Sequence, residues 1–351
     1  MTVRKPRTRG LQGGATVESG QLSRRRQTPG RRARTAALVV TALVVMALTS
    51  GAAGGCGRRA EQRAITLGLI PIEDTLPFWV AERQGYFREE GVAVNLMTFA
   101  SAAERDAALT AGEVDGAVAD LVAVALLHAG GTRVGVVSLT LGADGREGRI
   151  AILSPPGTAL AVDDLRGREI ALSPNSLIEF TVTRLLQRRG FRPEEIRTMA
   201  VAKIPVRFEL LMAGKVTAAA LPDPFAALAQ KRGAHLVVDD TAENISQAVV
   251  IFRRAVLEER AEDVEKVMRA YARAVADINA DPARFADLLT EKAGVPKEVL
   301  DWYRSLHFPG LVLPTRAQVE DALNWLGEKG LLAQPLRYED LIDGRFVGDG
   351  R

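Results

Sequence analysis

The stretch LTAGEVDGAVAD at residues 109–120 returns as LMAGKVTAAALPD at residues 211–223. In each, a helical pattern stops at a glycine, Gly112 or Gly214, the residue best suited to the left-handed turn that ends a helix. A short run of small residues then reads as a strand and stops at an acid, Asp120 or Asp223. Any α/β domain contains helix-to-strand units of this general kind. The offset of 102 residues between Leu109 and Leu211 is the constraint, because it predicts one copy in each of two lobes, with the two strand ends facing a shared cleft.

The flanking sequence supports that architecture. Short β-rich runs alternate with helical ones, which is the pattern of parallel βαβ units. Strands are predicted at ITLGLI (65–70), VAVNLMTF (92–99), GAVA (116–119) and TRVGVVSL (132–139), with helices over 78–84, 102–110 and near 122–128. LGADGREGR (141–149), with three glycines, reads as a crossover. The alternation then begins again with IAIL (150–153), EIALS (169–173), TMAVA (198–202), AAAL (218–221) and HLVVD (235–239), interleaved with helices over 177–188, 206–212 and 225–231. QAVVIF (247–252) returns the chain. Beyond it, Val264, Val267, Met268, Tyr271, Val275 and Ile278 recur at helical spacing and form one apolar stripe. Further helices are expected around 282–291, 296–306 and 315–328, packed back on the first lobe. The predicted division is 65–141 with 246–345 as lobe 1, and 142–245 as lobe 2.

The first 55 residues depart from this pattern. They carry ten basic residues against a single acid, Glu18, and then the apolar run AALVVTALVVMAL (36–48). A basic segment, a short apolar run and a small-residue zone compose an export signal, and the run is shorter than the roughly 20 residues that span a membrane. Cys56, the only cysteine, follows in AGGC (53–56), which resembles the bacterial lipobox. The expectation is a signal over 1–55, a lipid on Cys56, a tether over 56–64, and a chain held at the outer face of the cytoplasmic membrane. The arginine clusters at 24–26 and 31–34 leave general and twin-arginine export both open. A single cysteine excludes an internal disulfide. Of the 46 basic and 43 acidic residues, 36 and 42 lie beyond the signal, a net charge of −6, and no nucleic-acid partner is expected.

PFWVAERQGYFREEGVAV (77–94) resembles the substrate-binding proteins of ABC importers for nitrate, alkanesulfonates and taurine, a family that also includes binders of pyrimidine precursors of thiamine. The match lies in an AxxxGYFxxEGxxV run formed by Ala81, Gly85, Tyr86, Phe87, Glu90, Gly91 and Val94. FASAAERDAALTAGEVDGAVADL, DLRGREIALSP and LLMAGKVTAAALPDPFA follow in the family's order, so the resemblance covers about 65–240. It implies a type 2 periplasmic-binding-protein fold, in which each lobe is a mostly parallel sheet flanked by helices and the lobes close on a small solute. It also implies a monomer that delivers its solute to a permease and its ATPase.

In such folds ligands collect where strands end at their carboxyl side. After the first strand, Asp74 or Thr75 is placed to cap the next helix, with Pro77 in its first turn; Phe78 and Trp79 can wall a flat ligand or sit in the core. Ser101 and Glu104 compose an S-x-x-E capping box, whose helix end can also receive an anionic or carbonyl group. Asp120 and Leu121 follow the third strand. In lobe 2, Ser173, Asn175 and Ser176 offer caps and polar side chains, Lys203 and Arg207 can bind a sulfonate or carboxylate or lie on a solvated face, and Asp223 and Phe225 follow the last copy of the repeat. Glu73, Asp74, Asp120, Glu179 and Asp223 favour instead a ligand with N–H donors or positive charge, so the ligand chemistry stays open.

An enzyme on the same fold, resembling pyrimidine synthases or menaquinone-pathway enzymes, is the alternative. The sequence has no G-x-S-x-G and no phosphate loop, and His128, His235 and His307 show no ligand spacing. A binder without cofactor or metal is the expectation.

Overall fold

The computed structural model describes residues 63–145 and 147–347. The expected signal, Cys56 and most of the tether lie outside the described residues.

Among the described residues, ten strands form two five-stranded sheets. The first contains β1 (Ile65–Leu69), β2 (Val94–Thr98), β3 (Gly116–Asp120), β4 (Val134–Leu141) and β10 (Ala248–Arg253) in the order β2-β1-β3-β10-β4. The second contains β5 (Ile150–Ser154), β6 (Glu169–Leu172), β7 (Arg197–Ala200), β8 (Ala218–Pro222) and β9 (His235–Asp239) in the order β7-β6-β8-β5-β9. In each sheet one strand is reversed. β10 runs antiparallel to β3 and β4, and β5 antiparallel to β8 and β9. Each reversed strand is the one that follows a crossover, so the chain enters either sheet against the direction of its neighbours. The mostly parallel α/β architecture read from the sequence is the observed one.

The helices are α1 (Leu76–Gln84), α2 (Tyr86–Glu89), α3 (Ala102–Ala111), α4 (Leu121–Ala129), α5 (Leu177–Gln187), α6 (Ile204–Met212), α7 (Phe225–Lys231), α8 (Arg254–Glu259), α9 (Ala261–Ala280), α10 (Ala286–Glu291), α11 (Arg316–Glu328) and α12 (Tyr338–Leu341). The repeat is structural: α3 and α6 are followed by Gly112 and Gly214 at φ of 76° and 64°, a region in which a side chain would be strained, and β3 and β8 follow. The sequence places 296–306 in an α-helix; the chain there forms a 3-10 helix, Lys297–Tyr303, which leaves the break at Phe308-Pro309-Gly310 as an extended loop.

The apolar stripe of α9 buries Val264, Val267, Met268, Tyr271, Val275 and Ile278 against α1, where Phe78 meets Tyr271 with ring centroids 5.0 Å apart. β4, although an edge strand, is buried along its whole length, because the C-terminal segment covers it: Leu139 N donates to Val312 O at 2.7 Å and Asp343 N to Val136 O at 2.8 Å. Two C-terminal elements also reach the second sheet's helices. Trp325 of α11 packs edge-on to Phe180 of α5 at 5.6 Å, with Arg184 bonded to Asp321 and Glu328, and the 3-10 helix lies against α7, where Arg232 pairs with Glu298 at 2.8 Å.

Candidate functional site

β1 delivers the chain into a 3-10 turn, Glu73–Thr75, in which all three side chains are buried. Thr75 occupies the N-cap position of α1 without capping it; its hydroxyl donates back to Ile72 O at 2.9 Å. Asp74 does not cap α1 either. Its Oδ1 is sealed from solvent without a hydrogen-bond partner, and burial pushes its carboxyl up to about 7, with the Asp120 charge adding to the rise and Arg105 opposing it. Glu73 is pushed well above the usual carboxylate range by burial, then by Asp223 and Asp74, and its Oε2 also has no partner. Two adjacent acids therefore sit at the end of β1 in surroundings that favour their neutral forms.

Arg105 and Asp120 complete this side. Arg105, from α3, is buried and donates through Nη1 to Val118 O at 2.8 Å and through Nε to Asp106 at 2.9 Å. Asp120 caps α4 by accepting from Ala123 N at 2.8 Å, and its pKa is raised by burial against the pull of Arg105. Ser101 caps α3, accepting from Glu104 N at 3.3 Å, while Glu104 reaches back to Ala100 N, one residue before the cap.

Opposite Glu73 lies the end of β8. Asp223 accepts from Arg149 Nη2 at 2.9 Å, from Arg149 Nε at 3.1 Å and from Ala227 N at 3.0 Å. Arg149, the last residue of the first crossover, also bonds Gln230 through Nη1 at 2.9 Å, pairs with Asp239 at 3.5 Å, and lies 5.2 Å from the Trp302 ring centroid. A cavity of about 600 Å³ opens here, lined by Glu73, Arg149, Asp223, Trp302, Tyr303 and His307 among others. Tyr303 is buried with its hydroxyl unpartnered, and burial followed by the Glu73 and Asp223 charges raises its pKa. His307 Nδ1 lies 3.1 Å from Glu147 Oε1, and the second Glu147 oxygen accepts from Gly142 N and Ala143 N. The two crossovers touch where Asn244 Nδ2 donates to Gly142 O at 3.0 Å.

The remaining residues read from the sequence fall into separate places. Pro77, Phe78 and Leu121 are buried, and Phe78 stacks in the α1–α9 core, so it does not wall the cavity. Trp79 is buried with Lys292 over its ring at 4.7 Å. Ser176 precedes α5 without capping it, its hydroxyl donating to Ser173 O at 2.6 Å. Asn175 stands at φ 53° with its N–H donating to Glu179 at 2.6 Å, and Glu179 pairs with Lys329 at 2.7 Å. Phe225 packs on Phe208 at 5.7 Å. Lys203 is exposed. Arg207 is not on a solvated face: it is 0% exposed, Nη1 donates to Val201 O at 2.7 Å and to Ser173 Oγ at 2.9 Å, and Nε and Nη2 have no partner. Burial pulls its pKa down to about 10.

Of the residues read from the sequence, Glu73 and Asp223 line the cavity, Asp74 and Asp120 form an acid pair beside Arg105, and Ser173 with Arg207 forms a third cluster. Sequence reading passes over Arg149, Arg105, Trp302 and Tyr303. Arg149 alone carried a local signal, as a charged residue ending a glycine-rich crossover immediately before a strand; the others are ordinary members of helical patterns. Among the described residues no group of three or more His, Cys, Asp or Glu is placed to hold a metal ion, and no helix is long and apolar enough to cross a membrane.

Residues 58–290 match the profile of the NMT1-like family. No curated protein matches the chain. Among solved structures, the ligand-binding component of an ABC-type import system from Staphylococcus aureus, with zinc bound, aligns at TM-score 0.70 and 15% identity, covering 83% of this chain and 99% of that one. The alkanesulfonate-binding protein SsuA of Xanthomonas axonopodis pv. citri, bound to MOPS, aligns at 0.68 and 20% identity, covering 80% and 98%. The periplasmic nitrate-binding protein NrtA of Synechocystis PCC 6803 aligns at 0.63 and 13% identity, covering 80% and 84%. At these identities the likeness is one of fold.

Proposed function

The chain belongs to the NMT1-like family, and from that premise we propose that it is the extracytoplasmic solute-binding component of an ABC importer, capturing a small solute between two lobes and handing it to a permease. The observation that carries the reading is the cavity: its wall takes Glu73 from the end of β1, Asp223 from the end of β8, Arg149 and Thr241 from the two crossovers, and Trp302 and Tyr303 from the C-terminal segment. A solute held there contacts both sheets at once, so it stabilises the closed form selectively, as a hinge-closing binder requires. The lobes of this reading are 65–141 with 246–345, and 142–245, moving about the paired crossovers.

Export and anchoring belong to the same proposal. The basic segment, the apolar run and AGGC ending at Cys56 support cleavage before Cys56 and a lipid on its amino-terminal residue. Metabolic labelling with a fatty acid tests this: label should enter the wild-type chain and be absent from Cys56→Ala.

Solute binding is tested by thermal unfolding of the chain from residue 57 onward across a panel of small anions, cations and zwitterions. A true ligand raises the midpoint in a saturable way, because it binds the native state alone. Small-angle scattering with the hit should show compaction. A panel without a single stabilising compound would remove the reading.

A further inference from the structure

The cavity's free polar atoms have a definite sign. Glu73 is 6% exposed and Tyr303 7% exposed; both line the cavity, and Glu73 Oε2 and the Tyr303 hydroxyl are sealed from solvent with no hydrogen-bond partner. Buried polar groups are expected to be satisfied, and these two atoms of the wall are not. Among the described residues, the buried cation of the wall is already committed. Arg149 uses all three of its nitrogens, Nε and Nη2 on Asp223 and Nη1 on Gln230 and Asp239. Arg304 is exposed and bonded to Asp301 at 2.7 Å, and His307 leans on Glu147 at 3.1 Å. Among the described residues, a nitrate or sulfonate entering this cavity would find a carboxyl group at its buried end and a single guanidinium not buried in the wall, Arg304, paired with Asp301.

We infer that the cavity takes a small molecule presenting a protonated or N–H-donating nitrogen, an amine or an amidine, which donates to Glu73 Oε2 and lies against the Tyr303 hydroxyl. This rests on the solute-binding reading above and fixes the chemical class of its ligand. A cationic nitrogen beside Glu73 forms a charge-assisted hydrogen bond and gives Glu73 a bonded cationic partner, as Arg149 gives Asp223 one. Burial and the neighbouring acids raise the Glu73 pKa, and a cationic nitrogen bound beside it favours the carboxylate form.

Thermal unfolding with n-butylamine, 1,4-diaminobutane and benzamidine, set beside ethanesulfonate and nitrate, tests the class. At least one nitrogen base should raise the midpoint saturably, and the two anions should not. Glu73→Gln should weaken that binding by roughly tenfold or more, the cost of a lost charged partner, and Tyr303→Phe by about three- to tenfold. The Tyr303→Phe change removes one oxygen from a packed ring and serves if Glu73→Gln fails to fold. Stabilisation by ethanesulfonate or nitrate that is strengthened in Glu73→Gln would overturn the inferred class and leave the solute-binding reading standing. Base binding that is unchanged in both variants would move the site elsewhere and overturn it as well. Silence from all five compounds would overturn the class, and a saturable hit elsewhere in the wider panel would then keep the solute-binding reading.

Discussion

Arg149 grips Asp223 with two parallel hydrogen bonds, Nη2 to Oδ1 at 2.9 Å and Nε to Oδ2 at 3.1 Å. The first residue stands in the crossover and the second follows β8, so the pair joins the crossover to the cavity wall. Both side chains are largely buried, at 14% and 17% exposed, so the pair lies between a surface bridge of little value and a buried one whose rupture is costly. Arg149→Ala leaves Asp223 facing Glu73 without a counter-charge and is expected to cost about 2 kcal/mol in urea unfolding. Asp223→Asn, which keeps a bonding partner for Arg149, should cost less. A loss below about 0.5 kcal/mol for Arg149→Ala would mean that water replaces the guanidinium freely.

Asp74 gives the stability a pH dependence of definite sign. Its folded pKa of about 7 lies above the ordinary Asp value of about 4, so the folded chain holds this proton more tightly than the unfolded one. Stability from this group is therefore highest below about pH 4, falls as pH rises toward 7, and is level above. Asp74→Asn removes that slope. The variant's advantage over wild type should grow between pH 4 and pH 7, to at most about 4 kcal/mol, read as the difference in denaturant midpoints. An advantage that shrinks with rising pH would show that Asp74 is ionised in the fold.

Arg207 is a buried cation with two unpartnered nitrogens, an arrangement that apolar groups of similar volume replace without loss. Arg207→Met should leave the solute-free protein as stable as wild type or more stable by about 1–2 kcal/mol. A loss of more than about 2 kcal/mol on this change would instead assign the Val201 and Ser173 bonds a net structural role.

Trp325 ties the C-terminal helix α11 to α5 through Phe180, inside a shell that seals it to 1% exposure. Trp325→Ala should cost about 3–5 kcal/mol. The exposed pair Arg232–Glu298, at 46% and 50%, offers the contrast: Arg232→Ala should change the midpoint by well under 1 kcal/mol. Equal effects of the two changes in calorimetry would contradict this ranking.

The element pattern was legible because it is local. Apart from the two crossovers, most strands from β1 to β10 alternate with helices close to the positions the periodicity predicts, and the repeat's glycines turn left-handed where a helix must stop. Capping was legible in part: Ser101 caps α3 as its box predicts, Asp120 was read as a strand end and also caps α4, and Thr75 and Ser176 spend their hydroxyls on carbonyls of the preceding turn, a choice that depends on how each turn is folded. The site was legible least. Glu73 was visible as one acid among five, yet Glu179 of the same set is bound to Lys329 and the Asn175 N–H, and nothing in the local sequence separates the two.

By itself the sequence determined the fold class, the repeat, the two crossovers and the helical tail, because strand and helix periodicity and glycine's access to positive φ act over a few residues. Only the tertiary structure decided which polar groups are free. Arg149 meets Asp223 across 74 residues, Glu73 and Tyr303 share a cavity from opposite ends of the chain, and Arg207 is buried where its helix pattern allowed solvent. Burial and pairing are properties of assembled surfaces, and they decide which carboxyl is neutral, which guanidinium is committed, and what charge a ligand must bring.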